Sequence, residues 1–86
     1  MTGQFEEIEG LFGQLLTASR PIMSETELQE VRHLIDVGEY GLALETLVDI
    51  FAGEKRKPGA DVTLRIENLA DKMSIDATAL MQRLRI

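Results

Sequence analysis

Apolar residues recur at helical spacing along most of the chain, and their densest run lies in its middle. Between positions 36 and 51, apolar residues occur at i, i+3, i+4, i+7, i+8 and i+11. They are Tyr40, Ala43, Leu44, Leu47, Val48 and Phe51. This spacing places all six side chains on one broad face of an α-helix. The pattern predicts a central core helix over about 39–52, with the other segments packed around it.

The N-terminal segment predicts another helix. Its apolar stripe begins at Phe5 and continues at helical spacing, which predicts a helix over 4–18. Gly10 and Gly13 interrupt it, and each weakens a helix by about 1 kcal/mol relative to alanine. We expect these glycines to let a neighbouring segment pack closely.

The segment between these two helices carries clear start and stop signals. Ser24 and Glu27 have the spacing of a capping box, in which each side chain bonds the other residue's backbone. Gly38 suits the left-handed conformation that commonly closes a helix. The sequence therefore predicts a second helix that begins after Ser24 and ends at 37–38.

The C-terminal part predicts two shorter helices after a polar loop. Residues 53–60 are charged and contain glycine and proline, which indicates a surface connection. Helices are predicted over about 62–73 and 77–84, with Asp61 and Asp76 as their N-caps. Because no segment alternates strictly between apolar and polar residues, no strand is predicted.

The length of the chain limits it to one small core. A chain of 86 residues forms one domain, so we predict an all-α fold, a compact bundle of about five short helices over 1–86. Cysteine is absent, which excludes a disulfide scaffold and fits a reducing compartment. No signal peptide and no run of about 18 apolar residues is visible. We therefore expect a cytoplasmic protein that does not span a membrane.

Charge is unevenly distributed along the sequence. Residues 1–54 contain eleven acids and two bases, whereas residues 55–86 contain four acids and seven bases. The acidic first part argues against general binding to nucleic acids or anionic membranes. It suits a basic protein partner.

Side chains suited to catalysis or metal binding are few. His33 is the one histidine, and the serines at 19, 24 and 74 have cap or turn explanations. A chain with one histidine and no cysteine lacks the usual ligands of a transition-metal site. No phosphate-binding glycine loop is present. We predict that the protein is not an enzyme and has no catalytic residue, cofactor or metal site.

Residues 62–86 allow one alternative, a small helix-turn-helix regulator that binds DNA. The side chains that would face a groove or contact phosphates are Thr78, Gln82, Arg83, Lys55, Arg56 and Lys57. Two features count against it. Ser74 stands where a turn glycine is usual, and the acidic remainder would repel the phosphate backbone. Nucleic-acid binding is thus the less favoured interpretation.

The corner between the second and third predicted helices resembles a known family. It reads Val31-Arg32-His33-Leu34-Ile35-Asp36-Val37-Gly38-Glu39-Tyr40 and continues Leu42-Ala43-Leu44-Glu45-Thr46-Leu47. This run resembles the small MafI-type immunity proteins, which protect bacteria against polymorphic toxins, including those of contact-dependent growth inhibition. The resemblance covers roughly residues 28–82.

The resemblance implies a function in toxin neutralisation. It implies a 1:1 complex with the C-terminal domain of a cognate toxin. The toxins of this family are often nucleases, and an EndoU-type RNase is the class we expect first. An acidic helical surface would occupy the basic substrate cleft of such a toxin, and complementary charge would speed the encounter.

We expect the toxin to contact the exposed acids that flank the central helix. The predicted toxin-binding residues are Asp36, Glu39, Tyr40, Glu45 and Asp49, with Glu25, Glu30 and His33 on the preceding helix. Tyr40 is of a residue type enriched in interface hot spots. Its place in the apolar stripe nevertheless favours packing in the core.

Overall fold

The computed structural model describes residues 3–54 and 56–84 and contains five α-helices in that part of the chain. Helix α1 is followed by a short 3₁₀ turn, and the remaining helices are joined by brief connections. The elements are α1 Gly3–Ser19, the 3₁₀ turn Arg20–Ile22, α2 Glu25–Asp36, α3 Tyr40–Gly53, α4 Ala60–Lys72 and α5 Ala77–Leu84. The described residues include no strand. The prediction of a small all-α domain is confirmed.

Helix α3 forms the centre of the hydrophobic core. Its fully buried side chains are Ala43, Leu44, Leu47, Val48 and Phe51. Helices α2, α4 and α5 all pack against it, and α1 closes the bundle by packing against α4. Burial of a side chain as large as leucine or phenylalanine stabilises a fold by about 1.5–3 kcal/mol. The apolar stripe that predicts α3 in the sequence therefore supplies five of the eighteen buried apolar side chains among the described residues, more than any other helix.

The predicted capping box at the start of α2 is confirmed. The Glu27 backbone N–H donates to the Ser24 hydroxyl at 3.1 Å, and the Ser24 N–H donates to the Glu27 carboxylate at 2.8 Å. These two bonds satisfy amide groups that a helix start otherwise leaves unpaired. They fix the point at which α2 begins.

The corner between α2 and α3 closes through glycine, as predicted. Gly38 has a φ of +81°, a backbone conformation that side-chain-bearing residues rarely adopt. Its N–H donates to the Ile35 carbonyl at 3.0 Å, and the next N–H, of Glu39, donates to the Leu34 carbonyl at 2.9 Å. This pair of bonds is a Schellman motif. It sets the direction in which α3 leaves α2.

The same motif closes α4, but with serine instead of glycine. Ser74 has a φ of +59°. The Ser74 N–H donates to the Asp71 carbonyl at 3.1 Å, and the Ile75 N–H donates to the Ala70 carbonyl at 2.8 Å. Ser74 thus takes the conformation that a turn glycine usually takes, at a cost of about 1–2 kcal/mol.

An arginine fastens the loop after α3 to the start of α2. The Arg56 guanidinium donates to both carboxylate oxygens of Glu27, at 2.7 and 3.1 Å, and to the Ile22 carbonyl at 2.7 Å. This bidentate arrangement, with the Ser24 N–H, lowers the pKa of Glu27 from 4.5 to about 2. The capping box and the ion pair therefore share one carboxylate.

Three sequence expectations are wrong. Asp61 does not cap α4, because the helix already begins after Gly59, and Asp61 instead pairs with Arg65 at 3.2 Å. Ser19 stands at the N-cap of the 3₁₀ turn, but its side chain makes no capping bond, since it is buried and its hydroxyl has no partner among the described residues. Gly10 and Gly13 permit no close packing, because a methyl group at either would meet nothing within 4 Å.

The cap at the last helix behaves as predicted. The Asp76 carboxylate accepts a hydrogen bond from the Thr78 N–H at 2.9 Å, at the start of α5. Helix α5 then buries Leu80 and packs against α3 and α4. None of the described helices is long and apolar enough to cross a membrane.

Candidate interaction surface

The corner between α2 and α3 exposes two carboxylates and an apolar side chain. Asp36 and Glu39 are exposed, and within the described residues neither makes an ion pair or a side-chain hydrogen bond. Val37, which lies between them, is 57% exposed. The Schellman motif through Gly38 holds these residues on a tight turn. The corner therefore presents unpaired negative charge beside exposed apolar area.

Tyr40 connects this corner to α1. It is half-buried, and its hydroxyl donates to the Glu9 carboxylate at 2.6 Å. The bond to Glu9 raises the pKa of Tyr40, since ionisation would remove the donated proton beside a negative charge. The Tyr40 ring lies 6.1 Å from the ring of Phe5 and 6.3 Å from that of Phe12. The Tyr40 side chain is therefore packed partly in the core and is partly exposed at the surface.

Two apolar side chains that are near Tyr40, in space or in the sequence, are exposed. Phe5 is 60% exposed beside the tyrosine ring, and Val37, three residues before Tyr40, is 57% exposed. Leu42 is 50% exposed, but residues two positions apart on a helix do not face each other, so Leu42 lies on the outer side of α3, away from the Tyr40 ring. We define the corner surface by its members, Phe5, Asp36, Val37, Glu39 and Tyr40.

The two predicted acids further along α3 differ from each other. Glu45 is exposed and, in the described structure, has no hydrogen-bond or ion-pair partner. The Asp49 carboxylate accepts from the Arg83 guanidinium at 2.8 Å and so joins α3 to α5. Half of the charge predicted on this part of α3 is already neutralised within the protein.

The three predicted residues of α2 lie on two faces. Glu30 and His33 are exposed, and their spacing of three residues puts them on one outer face. Glu25 lines a cleft between α1 and α2, together with Arg20 and Arg32. Glu25 is therefore the member of the predicted set least suited to a continuous acidic surface.

The segment predicted as the DNA-binding alternative forms two helices joined by a turn, but two of the three described cations that were assigned to DNA contact already bond carboxylates. Thr78 and Gln82 are exposed on α5. Arg83 is bonded to Asp49, and Arg56 is bonded to Glu27. Lys57 is exposed, whereas Lys55 lies outside the described residues.

Neither a metal-binding cluster among the described residues nor a known relative assigns a further function to this surface. Among the described residues, no group of three or more histidine, cysteine, aspartate or glutamate side chains could hold a metal ion. Comparisons with protein families, curated proteins and solved structures found no match. The resemblance to MafI-type immunity proteins therefore rests on the corner sequence itself.

Sequence reasoning missed three features of this region. The bond between Glu9 and Tyr40 joins residues 31 positions apart, and the exposure of Phe5 depends on the same packing. No local signal marks either feature. The cleft between α1 and α2 had a signal, because Arg20 and Arg32 are the two bases of the acidic first part of the chain.

Proposed function

We propose that the protein is an immunity protein that binds a cognate toxin domain and neutralises it. The observation that supports this best is the corner surface, where unpaired carboxylates adjoin exposed aromatic and aliphatic side chains. The resemblance to MafI-type proteins, which runs through this corner, supplies the class of partner.

The corner surface has the composition of an interface. Interfaces concentrate their energy in a few buried aromatic or apolar residues near the centre, surrounded by a polar rim. Phe5, Val37 and Tyr40 would supply such a centre, with Asp36 and Glu39 as its rim. The carboxylates would guide the encounter with a basic surface more than they would add to the final affinity.

A nuclease toxin fits this charge pattern. Its substrate cleft must be basic in order to hold a phosphate backbone. A helical surface that carries carboxylates in place of phosphates would occupy that cleft and exclude the substrate. We propose a 1:1 complex with the C-terminal domain of the toxin, with an EndoU-type RNase as the first candidate.

DNA binding by α4 and α5 is the alternative, and the exposure of Thr78 and Gln82 is the feature in its favour. It has less support, because Arg56 and Arg83 already bond carboxylates of this chain. A duplex would have to displace these bonds and also overcome repulsion from the acidic first part. Salt-sensitive duplex binding that falls in Arg83→Gln would favour this alternative.

Co-purification with the product of the gene just upstream, where we expect the toxin domain to be encoded, tests the proposal. We expect a 1:1 complex by size-exclusion chromatography and loss of RNA cleavage once the protein is equimolar with the toxin domain. The association rate should fall as salt is raised, because exposed charges steer the encounter. Full nuclease activity in the presence of excess protein would contradict the proposal.

A further inference from the structure

A cleft between α1 and α2 collects both bases of the acidic first part of the chain. It has a volume of about 440 Å³ and lies between the end of α1, the 3₁₀ turn and the first two thirds of α2. Its lining residues are Leu16, Thr17, Arg20, Glu25, Leu28, Gln29 and Arg32. Residues 1–54 contain eleven acids, yet the only two bases among them meet at this one concavity.

The two arginines of the cleft differ from the other described arginines in having no partner. Arg56, Arg65 and Arg83 each bond a carboxylate of the protein. Arg20 and Arg32 make no ion pair and no side-chain hydrogen bond within the described part of the chain. Each guanidinium therefore keeps its N–H donors, five in a rigid fork, available for an external acceptor.

We propose that this cleft binds a small oxyanion, a carboxylate or a phosphate group, between Arg20 and Arg32. Guanidinium forks match the geometry of both groups and can donate two parallel hydrogen bonds to each. The amide of Gln29 adds a neutral donor to the same lining. This site is independent of the toxin-binding function.

Carboxylates near the cleft limit its strength and provide a test. Glu25 lines the cleft without approaching either guanidinium closely enough for an ion pair, and its charge offsets one of the two arginines. Arg32 also lines a neighbouring cleft of about 190 Å³ with Glu9 and Asp36. Removal of the Glu25 charge should therefore strengthen oxyanion binding, whereas removal of either arginine charge should weaken it.

Nuclear magnetic resonance titration of the full chain measures this binding directly. Sodium chloride is replaced at constant pH and ionic strength by sodium phosphate in one series and by sodium glutarate in another. The Nε–Hε signals of Arg20 and Arg32 report on the site. The series with the lower dissociation constant identifies phosphate or carboxylate as the preferred group.

We expect saturable shifts of both arginine signals in at least one series. Arg20→Gln and Arg32→Gln should each raise the dissociation constant about tenfold, because each removes a charge-assisted pair of hydrogen bonds. Glu25→Gln should lower it. The matched control is Lys57→Gln, which removes an exposed and unpaired base outside the cleft and should leave the constant unchanged.

Shifts that grow without saturation, or that are equal in the arginine variants and in Lys57→Gln, would overturn the proposal. Both arginines are exposed, so the variants are expected to fold, and their backbone amide spectra check this. The experiment contains no toxin. Its outcome therefore does not depend on whether the protein is an immunity protein.

Discussion

At the scale of single residues, two serines of this chain illustrate opposite uses of a hydroxyl. The Ser24 hydroxyl accepts a hydrogen bond from the Glu27 N–H and thereby satisfies an amide that the helix start would leave unpaired. The Ser19 hydroxyl is completely buried and bonds no described group. A buried polar group without a partner opposes folding, since it loses its hydrogen bonds to water. The same residue type therefore stabilises the fold at one site and destabilises it at the other.

Replacement of each serine by alanine should change stability in opposite directions. Ser19→Ala should raise the free energy of unfolding by about 1 kcal/mol, because it removes the unpaired buried hydroxyl. Ser24→Ala should lower it by about 1 kcal/mol through loss of the cap. Urea denaturation of the two variants beside wild type measures both values. A loss of stability in Ser19→Ala would indicate that its hydroxyl is hydrogen-bonded in solution.

At the scale of elements, the helices are set by local signals and joined by a few long-range bonds. The capping box, the Schellman motif at Gly38 and the Asp76 cap involve residues at most five positions apart. The apolar stripe of α3 likewise repeats within one helix. Local signals of this kind are readable in a sequence, and they predicted five helices whose observed bounds differ by at most two residues. The start of α4 was misplaced by two residues, because Gly59, in an extended conformation, is the N-cap instead of Asp61.

The candidate site was less predictable because it depends on contacts between distant parts of the chain. Tyr40 was expected in the core, but its bond to Glu9 of α1 keeps it partly at the surface. Asp49 was expected to be an exposed acid, and it is exposed, but Arg83 of α5 neutralises its charge. Neither contact follows from helical periodicity. Sequence patterns therefore predicted which residues are exposed more reliably than which of them are unpaired.

The ion pair between Glu27 of α2 and Arg56 of the loop after α3 should make stability depend on pH. Because the pKa of Glu27 is lowered from 4.5 to about 2 on folding, its contribution is full above pH 4.5 and is lost as pH falls towards 2. Arg56→Gln removes the largest cause of that shift. We expect the stability difference between wild type and Arg56→Gln to be greatest near pH 6 and to shrink steadily below pH 4.5.

Denaturation curves at several pH values between 2.5 and 7 measure this difference. Lys57→Gln provides the control, since it removes a neighbouring base that has no described partner. Its difference from wild type should vary little over the same range. If the free energy of unfolding of Arg56→Gln stays below that of wild type by the same amount at every pH, the assigned role of Glu27 is contradicted.

The two glycines within α1 should be replaceable with a gain in stability. A methyl group at Gly10 or Gly13 meets no atom within 4 Å, and alanine favours a helix by up to about 1 kcal/mol over glycine. Gly10→Ala and Gly13→Ala should each raise the free energy of unfolding by about 0.5–1 kcal/mol. Gly38→Ala is the contrasting variant, because a φ of +81° strains any residue with a side chain, and it should lose stability.

At the scale of the whole molecule, folding partly cancels the charge separation seen along the sequence. Three bases of the second part, Arg56, Lys72 and Arg83, pair with acids of the first part. Those pairs lie along the junctions of the bundle. The carboxylates that stay unpaired include Asp36 and Glu39, which lie beside exposed apolar side chains at one corner. The fold therefore converts an acidic sequence into a local acidic and apolar surface.

The affinity of the toxin domain for variants of that corner tests the central claim most directly. Asp36→Lys and Glu39→Lys reverse the two unpaired corner charges, and Glu67→Lys reverses an exposed acid of α4 as a matched control. Titration calorimetry with the proposed toxin domain should show affinity reduced about tenfold or more by each corner variant, because a lysine there would repel the basic cleft, and unchanged by Glu67→Lys. Corner variants that bind the toxin domain as tightly as Glu67→Lys and wild type do would contradict toxin binding through the corner surface.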